Sequence, residues 1–527
     1  MEDDVVTIDG PLQSFGAQAG EMLPPPPALF SRNPLSWIRF FGPGAILASV
    51  NIGSGELVFP ARGGAMFGYG LIWIFPLVAL LKWGMAYYAI RHMVLSGAHP
   101  LERWSRLPGP RGWLSLAICL IVVMCLPLWM SFLQGILGDH CATVVGQWDR
   151  SSWATFWTAI CFVLLMIGGY NFLEKSQIVI LALMLLAVFV SVFWVQPDWL
   201  AALRGFFVPQ PLAYPDWALR ESPKLLERSV WVEVLVYVSV IGGPGDNYLS
   251  YASFLRDRRW GRSAMGLANE TELQEMAGQP KHPARLWLRA ALIDTIASFA
   301  AVVVIAVAFT ILGVMILQPK QLLPDNADLL THQAQFLTEL APWLKHVYDF
   351  GVFLAFVGIV LGAPDLFYRL LSEFFRTVPR WRGHVNQKWL RLFAICWAQG
   401  GGLAVLWLTR NNPEIELLDL ATPAGIFAGV LGTGLFCLIN PWMDWRFLPS
   451  ALRAPWYLVA LNIGAGLILL GAGVKSLWDY GKSPFPRSLG ESLAIPEPLF
   501  GFVVVAAVLA VAWLAAWAMR KAYSDSV

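Results

Sequence analysis

The sequence predicts an all-α membrane protein with about twelve transmembrane helices. Of its 527 residues, 57% are hydrophobic and 14% are charged, whereas a soluble globular protein carries about 25% charged residues. Apolar segments long enough to cross a bilayer recur along nearly the whole chain. Two of these segments contain clusters of glycine and proline at mid-span, which predicts that both helices are interrupted.

Charge balance and cysteine spacing exclude several other classes of protein. The chain has 37 Lys and Arg against 35 Asp and Glu, and this balance argues against a nucleic-acid partner. Its 6 cysteines are scattered without a CxxC pair, so neither a zinc site nor a disulfide framework is indicated. We find no arrangement of nucleophile and base and no glycine-rich phosphate loop. The sequence therefore predicts neither an enzyme nor a cofactor.

Twelve apolar segments have the length of a spanning helix. They cover residues 41–62, 66–90, 112–138, 152–172, 176–196, 229–254, 286–317, 346–370, 389–409, 418–440, 455–475 and 498–519. Lys and Arg concentrate in alternate loops, which places both termini in the cytoplasm. We expect a monomer in the bacterial inner membrane, with the lipid bilayer around it.

Two of the predicted spans are interrupted near the middle of the membrane. The first contains Asn51-Ile52-Gly53-Ser54-Gly55-Glu56, and the sixth contains Gly242-Gly243-Pro244-Gly245-Asp246-Asn247. Backbone freed from helical hydrogen bonds is tolerated at that depth only where it is buried in protein or lines a cavity. Interruptions five helices apart match the inverted-repeat plan of secondary transporters.

This plan divides the chain into five parts. We expect a disordered cytoplasmic tail at 1–34, a first repeat of helices 1 to 5 at 35–196, an outer loop at 197–228, a second repeat of helices 6 to 10 at 229–440, and helices 11 and 12 with the C-terminal tail at 441–527. The stretches 197–228 and 257–284 are long enough to carry short surface helices.

Each interruption ends in or beside an acidic residue, Glu56 in the first and Asp246 in the sixth span. A carboxylate at the bilayer midplane calls for a cationic partner. Either acid could instead cap the N-terminus of its half-helix. Two acids at corresponding places favour a cation site, with Glu56 and Asp246 as metal ligands. Further oxygen ligands are expected from the carbonyls of residues 53–55 and 242–245 and from the side chains of Asn51 and Tyr248. The side chain of Asn247 is a further candidate ligand, although a hydrogen bond to the unwound backbone is the preferred interpretation for it.

Four further ionisable groups within the predicted spans are given an expected role or environment. Lys82 lies deep in the second span and is expected to be paired with Glu56 or Asp246, or held neutral. Asp294 and Asp365 are candidates for coupling, as is Lys82, although an ion pair with Arg369 is the simpler interpretation of Asp365. Glu233, near the outer start of the sixth span, is expected to be reached by water.

Three stretches of the chain carry a resemblance to a known family. Residues 42–50 read Gly-Pro-Gly-Ala-Ile-Leu-Ala-Ser-Val, residues 64–73 read Gly-Ala-Met-Phe-Gly-Tyr-Gly-Leu-Ile-Trp, and residues 247–249, in the sixth span, read Asn-Tyr-Leu. These stretches resemble the Nramp divalent-metal transporters, which have the LeuT-type fold. The resemblance implies a LeuT-like fold of five plus five helices with discontinuous helices 1 and 6. It also implies that the two interruptions form a site for a transition-metal ion that moves with protons.

The sequence departs from the Nramp pattern at the metal site. The family's metal-binding Asp falls on Gly53, its Asn on Glu56, its Met on Pro244 and its His on Asp246. Loss of the thioether leaves carboxylate and carbonyl oxygen, a set that suits Mg²⁺, Mn²⁺ or Ca²⁺. A second His that the family uses in proton coupling falls on Tyr251, so coupling by that route is not expected.

Three hypotheses follow from the sequence. The first is a secondary transporter that moves a hard divalent cation by alternating access, as a symporter in the Nramp manner. The second keeps the fold and makes the cargo a small organic cation or amine. The third is an Nramp-like sensor that does not transport, although the tails at 1–34 and 520–527 are too short to hold a soluble signalling domain.

Overall fold

The structure, a computed structural model, is a bundle of helices. It describes residues 22–33, 36–37, 55, 58–167, 186, 188–226, 228–324, 330, 332–339, 341–381, 383–412, 415–481 and 495–520. Within these ranges, 8 helices are long and apolar enough to cross a membrane, or up to 9 if one bent pair forms a single span. The number of twelve stays a prediction, since most of the first and fifth predicted spans lie outside the described ranges.

Twelve helices of the bundle are numbered in chain order. They are α1 (Phe59–Phe67), α2 (Ile74–Ser96), α3 (Trp113–Val145), α4 (Arg150–Ile167), α5 (Val230–Val240), α6 (Gly245–Arg258), α7 (Pro283–Leu312), α8 (Leu344–Thr377), α9 (Gln387–Thr409), α10 (Leu417–Phe447), α11 (Trp456–Tyr480) and α12 (Phe500–Ala518). The connecting stretches carry short helices, as their length predicts: Trp199–Phe207, Asp216–Glu221 and Glu270–Gly278.

Helix α3 is the centre of the packing, because α4, α8, α9, α10 and α12 all contact it. At Gly138 a side chain would lie 2.2 Å from the carbonyl oxygen of Arg150, so glycine allows α3 and α4 to approach closely. Gln134 of α3 donates a hydrogen bond to the carbonyl of Gln399 in α9 at 3.1 Å. Of these helices, α3, α8 and α10 line the cavity described below.

Helices α1 and α2 form the bent pair, and both pack on α7. The chain turns by 100° between them, beginning at Gly68, whose φ of 61° favours glycine. A side chain at Gly64 would lie 2.2 Å from the carbonyl oxygen of Thr310. The half-helix α1 is therefore held tightly against α7.

The sixth predicted span is broken in the structure, as the sequence predicts. Helix α5 ends at Val240 and α6 begins at Gly245. Between them, Gly242 and Gly243 have φ of 70° and 77°, a region of backbone conformation that side chains disfavour. Proline at position 244 has no backbone N–H and precedes the first turn of α6. Glycine and proline thus stop one helix and start the next.

Part of the tail expected to be disordered is ordered. Residues Pro27–Phe30 form a helical turn in which Leu29 is fully buried. The indole N–H of Trp287 in α7 donates to the carbonyl of Leu23 at 2.8 Å. Residues 22–33 thus contain a short apolar segment that contacts the bundle, and the expected disorder of the tail stays a prediction.

Candidate functional site

A cavity of about 90 Å³ lies beside the break between α5 and α6. Its walls come from the break itself and from α3, α8 and α10. Helix α10 changes at this level to wider π-type turns over Gly425–Gly432. At Gly425 and Gly429 a side chain would lie 2.7 and 2.6 Å from atoms of Ser239. The two glycines therefore let α10 approach the end of α5 and close one side of the cavity.

Asp246 brings a carboxylate to this cavity from the first turn of α6. Its Oδ1 atom is buried and accepts no hydrogen bond from the residues that the structure describes. A buried acceptor without a partner costs free energy, and more so when it is charged. The N-terminal end of α6 offsets part of this cost through its dipole. The remaining acceptor capacity makes Asp246 a candidate ligand for a cation.

Lys82 is buried beside the same break. Its Nζ donates hydrogen bonds to the carbonyl oxygens of Ser239 and Gly243, each at 2.8 Å. The ammonium group also interacts electrostatically with Asp246. The sequence predicts a paired lysine at this depth, and the structure adds that carbonyls of the broken span are partners of the charge. Lys82 thus ties α2 to the break.

We expect Lys82→Met to lower both thermal stability and cation uptake. The substitution leaves two buried carbonyls without this donor, and a hydrogen bond to a charged group contributes about 1.5–3 kcal/mol. Melting temperature in detergent and uptake in proteoliposomes measure the two effects. Lys475→Met is the matched control, because Lys475 is 52% exposed and bonds to Asp479 on the surface of α11. Equal behaviour of the two variants would remove Lys82 from the site.

The first interruption lies mostly outside the described residues. Asn51, Gly53, Ser54 and Glu56 fall there, so their expected roles stay predictions. Gly55 is described, and a side chain on it would lie 2.3 Å from Cβ of Val240. Since Val240 is the last residue of α5, the two interruptions meet at this point.

Some of the predicted residues of the second interruption line the cavity, and the others pack against neighbouring helices. Gly243, Pro244, Asp246 and Asn247 line the cavity. Tyr248 lies elsewhere: its hydroxyl donates to the carbonyl of Gly242, and its ring stacks on Phe299 of α7 with centroids 5.5 Å apart. Gly245 packs against Phe436, to which a side chain would come within 2.9 Å. Tyr248 and Gly245 therefore shape the break.

Two further acids have partners away from the cavity. Asp294 is fully buried in α7 and accepts a hydrogen bond from the hydroxyl of Tyr251 in α6. Asp365 pairs with Arg369 at 3.0 Å on the surface of α8, the ion pair that their spacing predicts. Asp294 thus connects α7 to α6, whereas Asp365 forms an ion pair within α8.

A buried charge cluster closes the end of the bundle that the sequence predicts to face outwards. Arg62 of α1 pairs with Glu233 of α5 at 2.8 Å, and both side chains are 1% exposed. Tyr237 donates to the same carboxylate oxygen of Glu233 at 2.6 Å. The expectation that water reaches Glu233 is wrong, because Arg62 lies 171 positions away in sequence and is brought over it by the fold.

The same cluster reaches α10 through Arg228. This side chain pairs with the second carboxylate oxygen of Glu233 at 3.0 Å and lies 3.6 Å from Asp419. It also donates to the hydroxyl of Thr422 at 3.2 Å. The outer charge cluster, Arg62, Arg228, Glu233 and Asp419, therefore joins both half-helices α1 and α5 to α10.

Sequence reasoning missed the apolar walls of the cavity. Trp129 of α3 and Phe367 of α8 line it, yet each reads in the sequence as an ordinary spanning-helix residue. Gly425 and Gly429 gave only a weak signal of close helix packing, as small residues four positions apart.

Among the residues that the structure describes, no group of three or more His, Cys, Asp or Glu is placed to hold a metal ion.

Comparison of the fold with solved structures finds a manganese transporter. It is that of Eremococcus coleocola in complex with an aromatic bis-isothiourea substituted compound, with a TM-score of 0.60, 13% sequence identity, and coverage of 95% of this chain and 97% of that chain. A mutant of the same transporter gives a TM-score of 0.59 at 13% identity, covering 92% of this chain and 94% of that chain. The predicted fold class is confirmed, apart from the number of helices.

Comparison of the sequence identifies the family. No curated protein matches the chain. The sequence profile described as natural resistance-associated macrophage protein-like, or Nramp, matches residues 44–421. Since this match spans well over half of the 527 residues, the chain belongs to the Nramp family.

Proposed function

We propose that the protein is a secondary transporter that moves a divalent cation across the membrane and binds it at Asp246. The observation that carries this proposal is the buried carboxylate oxygen of Asp246, which has no hydrogen-bond partner within the described part of the chain and lies in a cavity beside a broken helix. Membership of the Nramp family and the likeness of the fold to a manganese transporter support a metal as the cargo.

The chemistry of the ligands favours a hard ion. Asp246 supplies carboxylate oxygen, Asn247 supplies amide oxygen, and Pro244 stands where a thioether would select a softer metal. Mg²⁺, Mn²⁺ and Ca²⁺ all bind through oxygen ligands. The predicted role of Glu56 would add a second carboxylate to this set.

Alternating access is supported by the closure at one end of the bundle. The outer charge cluster holds α1, α5 and α10 together above the break. The cavity extends past Phe367 to Leu370, towards the end of α8 that the sequence predicts to face the cytoplasm. A cation released in this state would leave inwards, and loading from outside requires the cluster to separate.

Uptake into proteoliposomes tests the proposal. We expect saturable uptake of at least one of Mg²⁺, Mn²⁺ and Ca²⁺ by vesicles that contain the protein, and none by protein-free vesicles. The ions should compete with one another because they share one carboxylate. Absence of uptake for all three, with protein shown to be folded, would contradict the metal as cargo.

A further inference from the structure

The cavity beside Asp246 is mostly apolar. Asp246 is the one charged side chain among its described lining residues. Around it stand Trp129 and Leu126 from α3 and Phe367 from α8. A divalent ion takes about six oxygen ligands, some of which are water, whereas a small organic ligand suits apolar walls with a few polar groups. The walls therefore fit a cation with a hydrocarbon part.

Lys82 limits the charge that this site accepts. Its ammonium group already occupies the carbonyl oxygens of Ser239 and Gly243, which a metal ion would otherwise use as ligands. Lys82 and Asp246 together carry no net charge when both are ionised. A monovalent ion therefore leaves a net charge of one in the apolar cavity, whereas a divalent ion leaves two, and uncompensated charge away from water is costly.

We infer that the cavity binds a small alkylammonium ion. Its ammonium group pairs with the buried Oδ1 atom of Asp246, and its hydrocarbon part packs between Trp129 and Phe367. The inference rests on the proposed function only in taking Asp246 as the residue that meets the cation. A volume of about 90 Å³ is smaller than the cavity of about 150 Å³ that holds benzene in an engineered protein, so short-chain amines fit best.

Isothermal titration calorimetry of the purified full-length protein tests the inference with a series of probes. Methylammonium, ethylammonium, propylammonium and butylammonium chlorides share the charge and differ in the hydrocarbon part. We expect affinity to rise about fourfold for each methylene that becomes buried, until the cavity is full. 1-Butanol has the same hydrocarbon part without the charge and is expected not to bind measurably.

Variants separate the two parts of the site. Asp246→Asn should abolish binding of every ammonium ion, whereas Asp257→Asn on the same helix should leave it unchanged, since Asp257 is 57% exposed and pairs with Arg369. Trp129→Ala should weaken butylammonium binding more than methylammonium binding. The series in the wild-type protein stays informative even if a variant fails to fold.

The outcomes also separate this inference from the proposed function. Affinities that do not change along the series, or butanol binding as well as butylammonium, would overturn the inference. Metal uptake that depends on Asp246, with no amine binding, would leave the proposed function standing and the inference refuted. Amine binding that depends on Asp246, with no metal uptake, would support the inference and refute the metal as cargo.

Discussion

Asp246→Asn is expected to reduce cation uptake about 10- to 100-fold. The substitution keeps the size of the side chain and removes its charge, and an interaction with a charged group contributes about 1.5–3 kcal/mol. The expectation holds for a metal and for an amine, because either cation would meet the buried carboxylate oxygen, to which no described residue donates a hydrogen bond. Initial rates of uptake into proteoliposomes, over a range of cation concentrations, measure the effect.

This substitution also discriminates between a cation ligand and a helix cap. Asn satisfies backbone N–H groups at a helix N-terminus about as well as Asp does. If Asp246 only stabilised the start of α6, the Asn variant would keep nearly all of its uptake and its melting temperature. Asp257→Asn at the other end of α6 controls for the loss of one negative charge on that helix. Equal uptake by the two variants would remove Asp246 from the binding site.

Sequence alone predicted the helices and the position of the break for local reasons. Long apolar segments mark spans wherever they occur, and Gly242, Gly243 and Pro244 interrupt a helix whatever surrounds them. Helices α3, α8 and α10 end at Val145, Thr377 and Phe447, beyond the predicted 138, 370 and 440. The predicted ends come too early because the last turns contain polar residues, which lower the mean hydropathy and resemble loop residues.

The contacts around the site could not be predicted in the same way. Lys82 reaches carbonyls 157 and 161 positions away, and backbone carbonyls carry no sequence signal. Burial of Glu233 depends on Arg62 lying over it, and an acid near a helix end looks exposed until its partner is known. Trp129 and Phe367 look like any other apolar residue of a spanning helix, and only the packing of the helices shows that they line the cavity.

Glu233→Gln is expected to open the end of the bundle that the outer charge cluster closes. Arg62 and Arg228 both pair with this carboxylate, so its loss leaves two guanidinium groups buried with less compensation. Removal of one partner of a buried ion pair costs about 3–5 kcal/mol. The cost falls on the closed state alone, because guanidinium groups that separate can regain water. The population should therefore shift towards states in which α1 and α5 move away from α10.

Cys125 is a native reporter for this opening. It is buried in α3 and lines the cavity beside Asp246. With the other five of the 6 cysteines replaced by serine, a membrane-impermeant thiol reagent added from outside should label Cys125 slowly in an otherwise wild-type protein. We expect Glu233→Gln to raise the labelling rate by at least about tenfold, since 1.4 kcal/mol already shifts an equilibrium tenfold.

Two further variants make this result interpretable. Glu339→Gln removes an acid from an ion pair with Lys320 in which both side chains are 46% exposed, so it should leave the labelling rate unchanged. Tyr237→Phe removes one hydrogen bond to Glu233 and keeps the charge, so a smaller increase in the same direction is expected. An unchanged labelling rate in Glu233→Gln protein would show that the cluster does not gate the cavity, and a lowered melting temperature in the same protein would show that the cluster stabilises the fold instead. A graded increase from Tyr237→Phe to Glu233→Gln, with none in Glu339→Gln, would mean that the free energy of this buried pairing sets how often the cavity opens outwards.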